Sequence, residues 1–267
     1  MPTSSFSSDL RRRVGIMGAM YEEVAGLVSL MEDVVPVSRG MRTYYQGKLH
    51  GVEVVVVFSR WGKVAAAATT VHLLLEFGIT ELLFTGLSGA ISSGLRVGDI
   101  VIGDRFYQHD MDATPLMARF EIPMLDLTFI QSPAERVAQA EGAIRGLLER
   151  TGTVPGIDVA HVSLFGLQAP AVRVGSIASG DKFFTDESEK QAMREVLPDV
   201  LCVEMEGAAV AQVCYEYGIP FTIVRIISDT SDAQSEADFL LFTSQVASTF
   251  SVAIVEALLT ERSTAAA

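Results

Sequence analysis

The chain alternates short β-branched and aliphatic runs with longer stretches of helical periodicity. Val14-Gly15-Ile16-Met17 reads as a buried strand, and Glu22 to Met31 as the helix that follows it. Val52 to Phe58 holds five valines, a strand by any template. Lys63 to Phe77 then reads as a helix, and its Ala65-to-Ala68 run permits close packing on a sheet. Further strands are predicted at Glu81 to Thr85, Asp99 to Ile102, Val174 to Ala178, Val200 to Val203 and Phe221 to Ile227. Helices are predicted at Pro133 to Arg150, Glu187 to Val196, Glu206 to Tyr217 and Asp238 to Leu259. Pro133 at the start and Gly152 past the end of the first of these fit the usual asymmetry of helix termini.

Strands that are apolar throughout are covered on both faces. The pattern therefore predicts a three-layer α/β/α fold, one domain around a central mixed, mostly parallel sheet. The domain is placed at residues 13–260, with residues 1–12 as a flexible N-terminal extension and 261–267 as a frayed tail. The least regular stretch is Gln108 to Gln131, which Pro115 and Pro123 interrupt. A loop of that length inside a domain is usually functional or lies at an interface.

Composition narrows the partners. The formal charge is −13, with lysines and arginines thinly scattered, so no basic face exists for nucleic acid. A small, weakly charged or cationic ligand suits this balance better. Cys202 and Cys214 offer neither a disulfide framework nor a metal spacing, which points to a reducing, cytoplasmic setting. No apolar run reaches the roughly 18–20 residues that a membrane span needs. The start of the chain lacks a secretory h-region, because Glu22 and Glu23 interrupt the apolar stretch after Arg13.

Several common chemistries have no motif here. There is no phosphate loop and no GxGxxG, since Gly86, Gly89 and Gly94 have the wrong spacing. Ser88 sits in Gly86-Leu87-Ser88-Gly89, which is not a nucleophile elbow. His50, His72, His109 and His161 are isolated in sequence, and His109-Asp110-Met111-Asp112 reads as a hydrogen-bonded turn before it reads as a metal site. The expectation is no metal and no cofactor.

Three acidic positions remain, all at strand ends, where open α/β sheets place their ligands. Glu22-Glu23 follows Gly18-Ala19-Met20 and, taken alone, reads first as a helix-dipole partner. Glu204-Met205-Glu206 closes an apolar strand and reads equally as a cap for the next helix. Arg225-Ile226-Ile227-Ser228-Asp229 puts an arginine inside an apolar strand, and a buried arginine needs an anionic partner, even though Ser228-Asp229 alone is a plausible N-cap pair.

Together these segments carry a resemblance. Val14 to Glu23, Trp61-Gly62-Lys63-Val64-Ala65-Ala66, Val203-Glu204-Met205-Glu206 and Arg225 to Asp229 resemble, in family order, the methylthioadenosine/S-adenosylhomocysteine nucleosidases of the nucleoside phosphorylase superfamily. The similarity runs from about Arg13 to Leu259. It implies a nucleoside phosphorylase-like fold and hydrolysis of the N-glycosidic bond of an adenine nucleoside carrying a 5′-thio substituent. Such a reaction passes through an oxocarbenium-like state and needs an acid at the base, a carboxylate near the sugar and a positioned water.

The resemblance assigns roles residue by residue. Asp229 is the acid that protonates N7 of the purine, Glu23 the base that activates water, and Arg225 the group that helps hold that water and the carboxylates. Glu206 accepts the ribose hydroxyls, and Met205 packs beneath the sugar. Ser228 belongs to the Ser-Asp pair of the acid. In Ser179 to Phe184, Phe183 stacks on the purine and the backbone of Phe184 reads its edge, while Phe239 lies beside the ribose. Family members are dimers in which a partner loop closes the pocket. The matching stretch here is Met111 to Pro123, with Leu116 and Phe120 against the thioalkyl group.

Two departures bear on substrate range. The family's Thr-Gly-Ser-Ala-Gly-Gly is here Thr85-Gly86-Leu87-Ser88-Gly89-Ala90, so Leu87 takes the serine position and Ser88 or a backbone group must replace its contact. The family's Ser-Gly-Ile-Gly is here Ser59-Arg60-Trp61-Gly62, which sets the only tryptophan near the 5′ group. The residues leave open a purine nucleoside phosphorylase, a nucleosidase for aminodeoxyfutalosine, and a non-enzymatic nucleoside-binding module. Glu22 and Glu23 weigh against phosphorolysis, because they would repel a phosphate dianion.

Overall fold

The computed structural model describes residues 12–230 and 235–265. The extension expected at 1–12 lies outside the described residues apart from Arg12, and residues 266–267 lie outside them as well.

In chain order the elements are β1 (Arg13–Gly18), α1 (Tyr21–Leu30), β2 (Glu32–Arg39), β3 (Arg42–Leu49), β4 (Val52–Phe58), α2 (Lys63–Leu75), β5 (Glu81–Ala90), β6 (Ile100–Gln108), β7 (Ile130–Gln131), α3 (Ala134–Thr151), α4 (Val159–Phe165), β8 (Val172–Ser179), α5 (Glu187–Val196), β9 (Val200–Glu204), α6 (Gly207–Tyr217), β10 (Phe221–Asp229), α7 (Ser235–Gln245) and α8 (Ala247–Ala265). The strands form one mixed sheet in the order β10-β6-β8-β9-β5-β1-β4-β3-β2. β5 also pairs with β10, so β5, β10, β6, β8 and β9 close on themselves. β1, β4, β5 and β10 run parallel to one another, as do β6, β8 and β9.

Burial on both faces gives the strands their continuous apolar character. In β4, Val54 and Val56 enter one core while Val55 and Val57 enter the other. Fully burying each such side chain stabilises by roughly 1.5–3 kcal/mol. The first core is roofed by α1, α3, α7 and α8, the second by α2 and α6. The latter two approach through small residues, with Ala66 facing the same core as Ala208, Ala209 and Ala211. α3 begins after Pro133 and ends at Gly152, whose φ of 74° is left-handed.

Besides the unpredicted short elements β7 and α4, the structure departs from the predicted elements in three places. β2 and β3 form an exposed hairpin at the sheet edge, where β2 carries Pro36 and buries almost nothing. An edge strand tolerates proline and needs no apolar alternation, so the pattern was silent there. β5 and β6 extend past Thr85 and Ile102, to Ala90 and Gln108. The long helix expected over Asp238 to Leu259 is two, bent by 58° at Val246. Ser244 donates its hydroxyl to the Leu241 carbonyl at 3.0 Å, a local bond that competes with the helix just before the bend. The bend lets Phe242, Val246, Ala247 and Phe250 all reach the core. No single helix among the described residues is long and apolar enough to cross a membrane.

Candidate active site

The register of the sheet assembles the acidic positions. Gly18 at the end of β1 pairs with Phe58 at the end of β4, and Ser179 at the end of β8 pairs with Glu204 at the end of β9. In β10, Ile227 pairs with Ser88 but Asp229 pairs with Gly89, so Ser228 is an extra residue. A bulge of this kind re-aims the side chains beside it. Ser228 and Asp229, both buried, line a cavity of about 70 Å³ together with Ala19, Met20, Glu23, Trp61, Leu87 and Ser88. Gly89, Phe183, Val203 to Glu206 and Phe239 complete its wall.

Glu23 is almost fully buried, and three backbone N–H groups converge on its carboxylate. Those of Ala19 and Met20 donate to Oε2 at 2.6 and 2.9 Å, and that of Leu87 donates to Oε1 at 3.0 Å. The helix-terminus reading and the site reading thus both hold, because the same carboxylate satisfies the open start of α1 and faces the cavity. A carboxylate has about four acceptor positions, so roughly one is left for a water. Burial raises its pKa, while the N–H donors and the Arg225 charge pull it down. Glu22, next to it, is exposed and takes no part.

Arg225 has the anionic partner its burial demanded. Its Nε and Nη2 donate to Glu204 Oε2 at 3.1 and 2.5 Å, and its guanidinium lies 3.9 Å from the centre of the Phe84 ring. Glu204 also accepts the Gly207 N–H at 2.8 Å and the hydroxyl of Ser179, which in turn accepts from the Ala208 N–H at 2.7 Å. Gly86 makes room for this approach: a Cβ there would stand 2.9 Å from Glu23 Oε1 and 3.2 Å from Arg225 Nη1. The reading of the chain left Glu204, Ser179 and Phe84 without roles. The buried arginine was the signal for Glu204, whereas Ser179 and Phe84 are separated from it in sequence and offered none.

Glu206 accepts the Gly62 N–H on Oε1 at 2.8 Å. Burial, reinforced by the neighbouring Glu204 charge, pushes its pKa up to about 8. One guanidinium therefore faces three buried carboxylates, and the site favours keeping a proton or taking up positive charge. Asp229 Oδ2 accepts the Ser228 hydroxyl at 2.8 Å, which ties the pair together as a unit.

The aromatic candidates form a chain along one wall. Phe239 packs edge-on against both Phe183, at 5.4 Å between centroids, and Trp61, at 6.2 Å. Met205 lies on the cavity floor between Glu204 and Glu206. Phe184 is not on this wall. Its ring is buried against His109, and it lines an adjoining hollow shared with Phe183, Lys182 and Asp229. Leu87 does reach the cavity, and its backbone N–H binds Glu23 directly. Ser88 Oγ is buried with no oxygen or nitrogen partner among the described residues.

Two loop residues separate. Leu116 is 88% exposed, open for another molecule to cover. Phe120 is 8% exposed and packs inside its own chain with Phe184, Ile91 and Val203. The loop turns back there, the Phe120 N–H donating to the Met111 carbonyl at 3.0 Å. Asp110, from the histidine-acid cluster, pairs with Lys63 and accepts the Asp181 N–H at 3.0 Å, as a turn residue does.

Comparison with known proteins places this geometry. The family model of the phosphorylase superfamily matches residues 13–260. A 5′-methylthioadenosine/S-adenosylhomocysteine nucleosidase of Chromohalobacter salexigens is 33% identical over 255 residues, covering 95% of this chain and 99% of that one. The crystal structure of the nucleosidase of that name from Neisseria meningitidis, in complex with methylthio-immucillin-A, superposes with a TM-score of 0.81 at 33% identity, covering 94% of this chain and 99% of the other. The native structure of futalosine hydrolase of Helicobacter pylori gives 0.80 at 28% identity, with 94% and 98% covered.

Proposed function

The chain belongs to the phosphorylase superfamily, and from that premise we propose that it is a nucleosidase that hydrolyses 5′-methylthioadenosine and S-adenosylhomocysteine to adenine and the 5-thioribose product. The observation that carries this reading is the convergence of Glu23, Glu206 and Asp229 on one cavity beside a single buried arginine. Binding alone requires no such set of carboxylates.

The chemistry follows from the positions. Phe183 stacks on the purine, and the diol of the ribose donates to Glu206, with Met205 beneath the sugar. Asp229 gives its proton to N7 as the C1′–N9 bond breaks and its electron pair leaves with the base. The oxygen of a water on Glu23 bonds to C1′, and the proton it sheds passes to Glu23. Arg225 acts through Glu204 and its charge, which holds the carboxylates in register. Excess negative charge in the cavity favours the cationic ribose of the transition state.

Hydrolysis is favoured over phosphorolysis because no lysine or arginine lines the cavity among the described residues, and a phosphate dianion would meet the Glu23 carboxylate there. The test is adenine release from methylthioadenosine with and without added phosphate. Independence from phosphate is expected, and strict dependence on it overturns the reading.

The assembly completes the site. A homodimer in which the Met111 to Pro123 loop of the second copy covers the cavity would bury Leu116, which is 88% exposed. The cytoplasm fits a chain with two buried, unpaired thiols.

A further inference from the structure

α2 opens without a cap of its own. Its N-cap is Gly62, with φ 93° and no side chain to accept a bond, and its first turn holds no acidic residue. Its first residue is Lys63, a cation at the end of a helix that favours anions. Remote segments supply what is missing. The Gly62 N–H donates to Glu206 Oε1 at 2.8 Å, and the Lys63 N–H donates to Asp181 Oδ1, also at 2.8 Å. Glycine permits this approach, because a Cβ at position 62 would stand 3.0 Å from that same Asp181 oxygen.

The Lys63 side chain closes a cycle of bonds. It is 16% exposed, and its ammonium donates to Asp110 Oδ1 at 2.5 Å and to Gln108 Oε1 at 3.2 Å. Asp110 Oδ2 in turn accepts the Asp181 N–H at 3.0 Å, and Asp181 already accepts from Lys63. Burial acts to raise the Asp110 pKa, but the Lys63 ammonium and the Asp181 N–H hold it below the usual carboxylate range, so its charge is kept. Three segments meet in this cycle: the start of α2, the turn after β6 and the loop after β8. Lys63, Asp110 and Asp181 do not line the cavity, but their neighbours hold what does. Gly62 binds Glu206, Phe183 stands two residues beyond Asp181, and both Glu206 and Phe183 form the cavity wall.

We propose that Lys63 is a positioning residue that, through Asp110 and Asp181, fixes the distance between the base-binding segment and the ribose-binding carboxylate of Glu206. The proposal rests on the nucleosidase reading and extends it to residues outside the cavity. The bond to be broken joins base to sugar. The spacing of those two holds therefore decides whether N7 meets Asp229 while C1′ meets the water on Glu23. The loop after β8 has other attachments. The Gly180 N–H donates to the Glu204 carbonyl at 3.1 Å and the His109 N–H to the Ser179 carbonyl at 3.0 Å, so the loop stays in place, less exactly held, when the ammonium is removed.

The test compares methylthioadenosine with its 2′-deoxy analogue, using the full chain and its Lys63→Met, Lys63→Arg and Asp110→Asn variants. Lys63→Met keeps the apolar stem and removes the charge. It is expected to lower kcat/KM for methylthioadenosine by about tenfold, chiefly through kcat. The analogue lacks a hydroxyl for Glu206 to hold, so its loss is expected to be no more than about twofold. Lys63→Arg should keep more than about half of the parent's kcat/KM, because the charge remains. Breaking the cycle twice should add little, so Lys63→Met with Asp110→Asn should lose no more than about twofold beyond Lys63→Met alone. Asp110 is exposed, and Asp110→Asn is expected to show the same contrast between substrates even where Lys63→Met does not fold. Equal losses on both substrates, losses that multiply in the double variant, full activity in Lys63→Met, or a Lys63→Arg no better than Lys63→Met each overturn the proposal. A parent that releases adenine from neither compound overturns the nucleosidase reading instead. The ratio of calorimetric affinities for the two compounds, in parent and variants, then decides the positioning role by the same criterion.

Discussion

The two ends of β5 each bury a glutamate against arginine, and they balance charge in opposite ways. At its start, the carboxylate of Glu81 meets two guanidinium groups, Arg12 at 2.6 Å and Arg136 at 2.8 Å. Beyond its other end, Arg225 alone serves Glu204 at 2.5 Å with Glu23 and Glu206 close by. The first arrangement has cation to spare and can do nothing but hold the N-terminal ends of the strands. The second has anion to spare, so protons and positive charge are drawn into it. A buried ion pair is weak evidence for a role by itself. The unbalanced carboxylates around it are what mark a site.

That contrast is open to attack by mutation. The largest effect is expected from Asp229→Asn, which removes the proton donor and should lower kcat for adenine release by about a thousandfold. Substrate affinity, measured by calorimetric titration, should stay within about tenfold.

Next come the paired substitutions Glu204→Gln and Glu81→Gln. Glu204→Gln leaves the buried Arg225 short of charge and should cost about 3 kcal/mol in denaturant unfolding, whereas Glu81→Gln faces the part-exposed Arg12 and Arg136 and should cost less, about 1 kcal/mol. Only Glu204→Gln should also depress kcat/KM, by about a hundredfold. Equal losses of activity from both would erase the distinction between the two ends.

A smaller effect separates the same ends by pH. The carboxyl of Glu206 has its pKa raised from 4.5 to about 8. A raised pKa means that folding favours the protonated form. Its contribution to stability is therefore complete below about pH 4.5 and is lost as pH rises through about 8. Glu206→Gln cannot ionise, so its melting temperature should be near that of the parent at about pH 5 and higher by on the order of 5 °C at about pH 9. Ribose affinity should fall in the same variant. A melting difference that does not change with pH would mean that Glu206 is not held protonated.

The smallest effect is expected at Leu87. Its side chain lines the cavity, but its bond to Glu23 comes from the backbone. Leu87→Ser should therefore change kcat by no more than about threefold, since the N–H survives the substitution. A larger gain would mean that a hydroxyl there adds a contact to the attacking water.

Much of this site was legible before any coordinates. Glu23, Glu206, Arg225 and Asp229 stood out because carboxylates and a cation at the ends of apolar strands conflict with burial unless something compensates them. Trp61 and Leu87 stood out as departures from a familiar pattern. Glu204 was quoted within its motif and given no role of its own, since adjacency to Glu206 hides which carboxylate binds the arginine. Local polarity likewise gives no sign that Phe120 packs inside its own chain with Phe184, Ile91 and Val203.

By itself, then, the sequence determined the layered α/β architecture, because alternating apolar runs and helical periods leave few ways to bury both. It also determined which residue types converge, because strand ends in such sheets lie together. The tertiary structure alone decided the pairing: which carboxylate Arg225 neutralises, which backbone groups hold Glu23, and that a bulge at Ser228 turns Asp229 into the cavity. Those depend on register between strands far apart in the chain, and a shift of one residue would send each side chain to the opposite face.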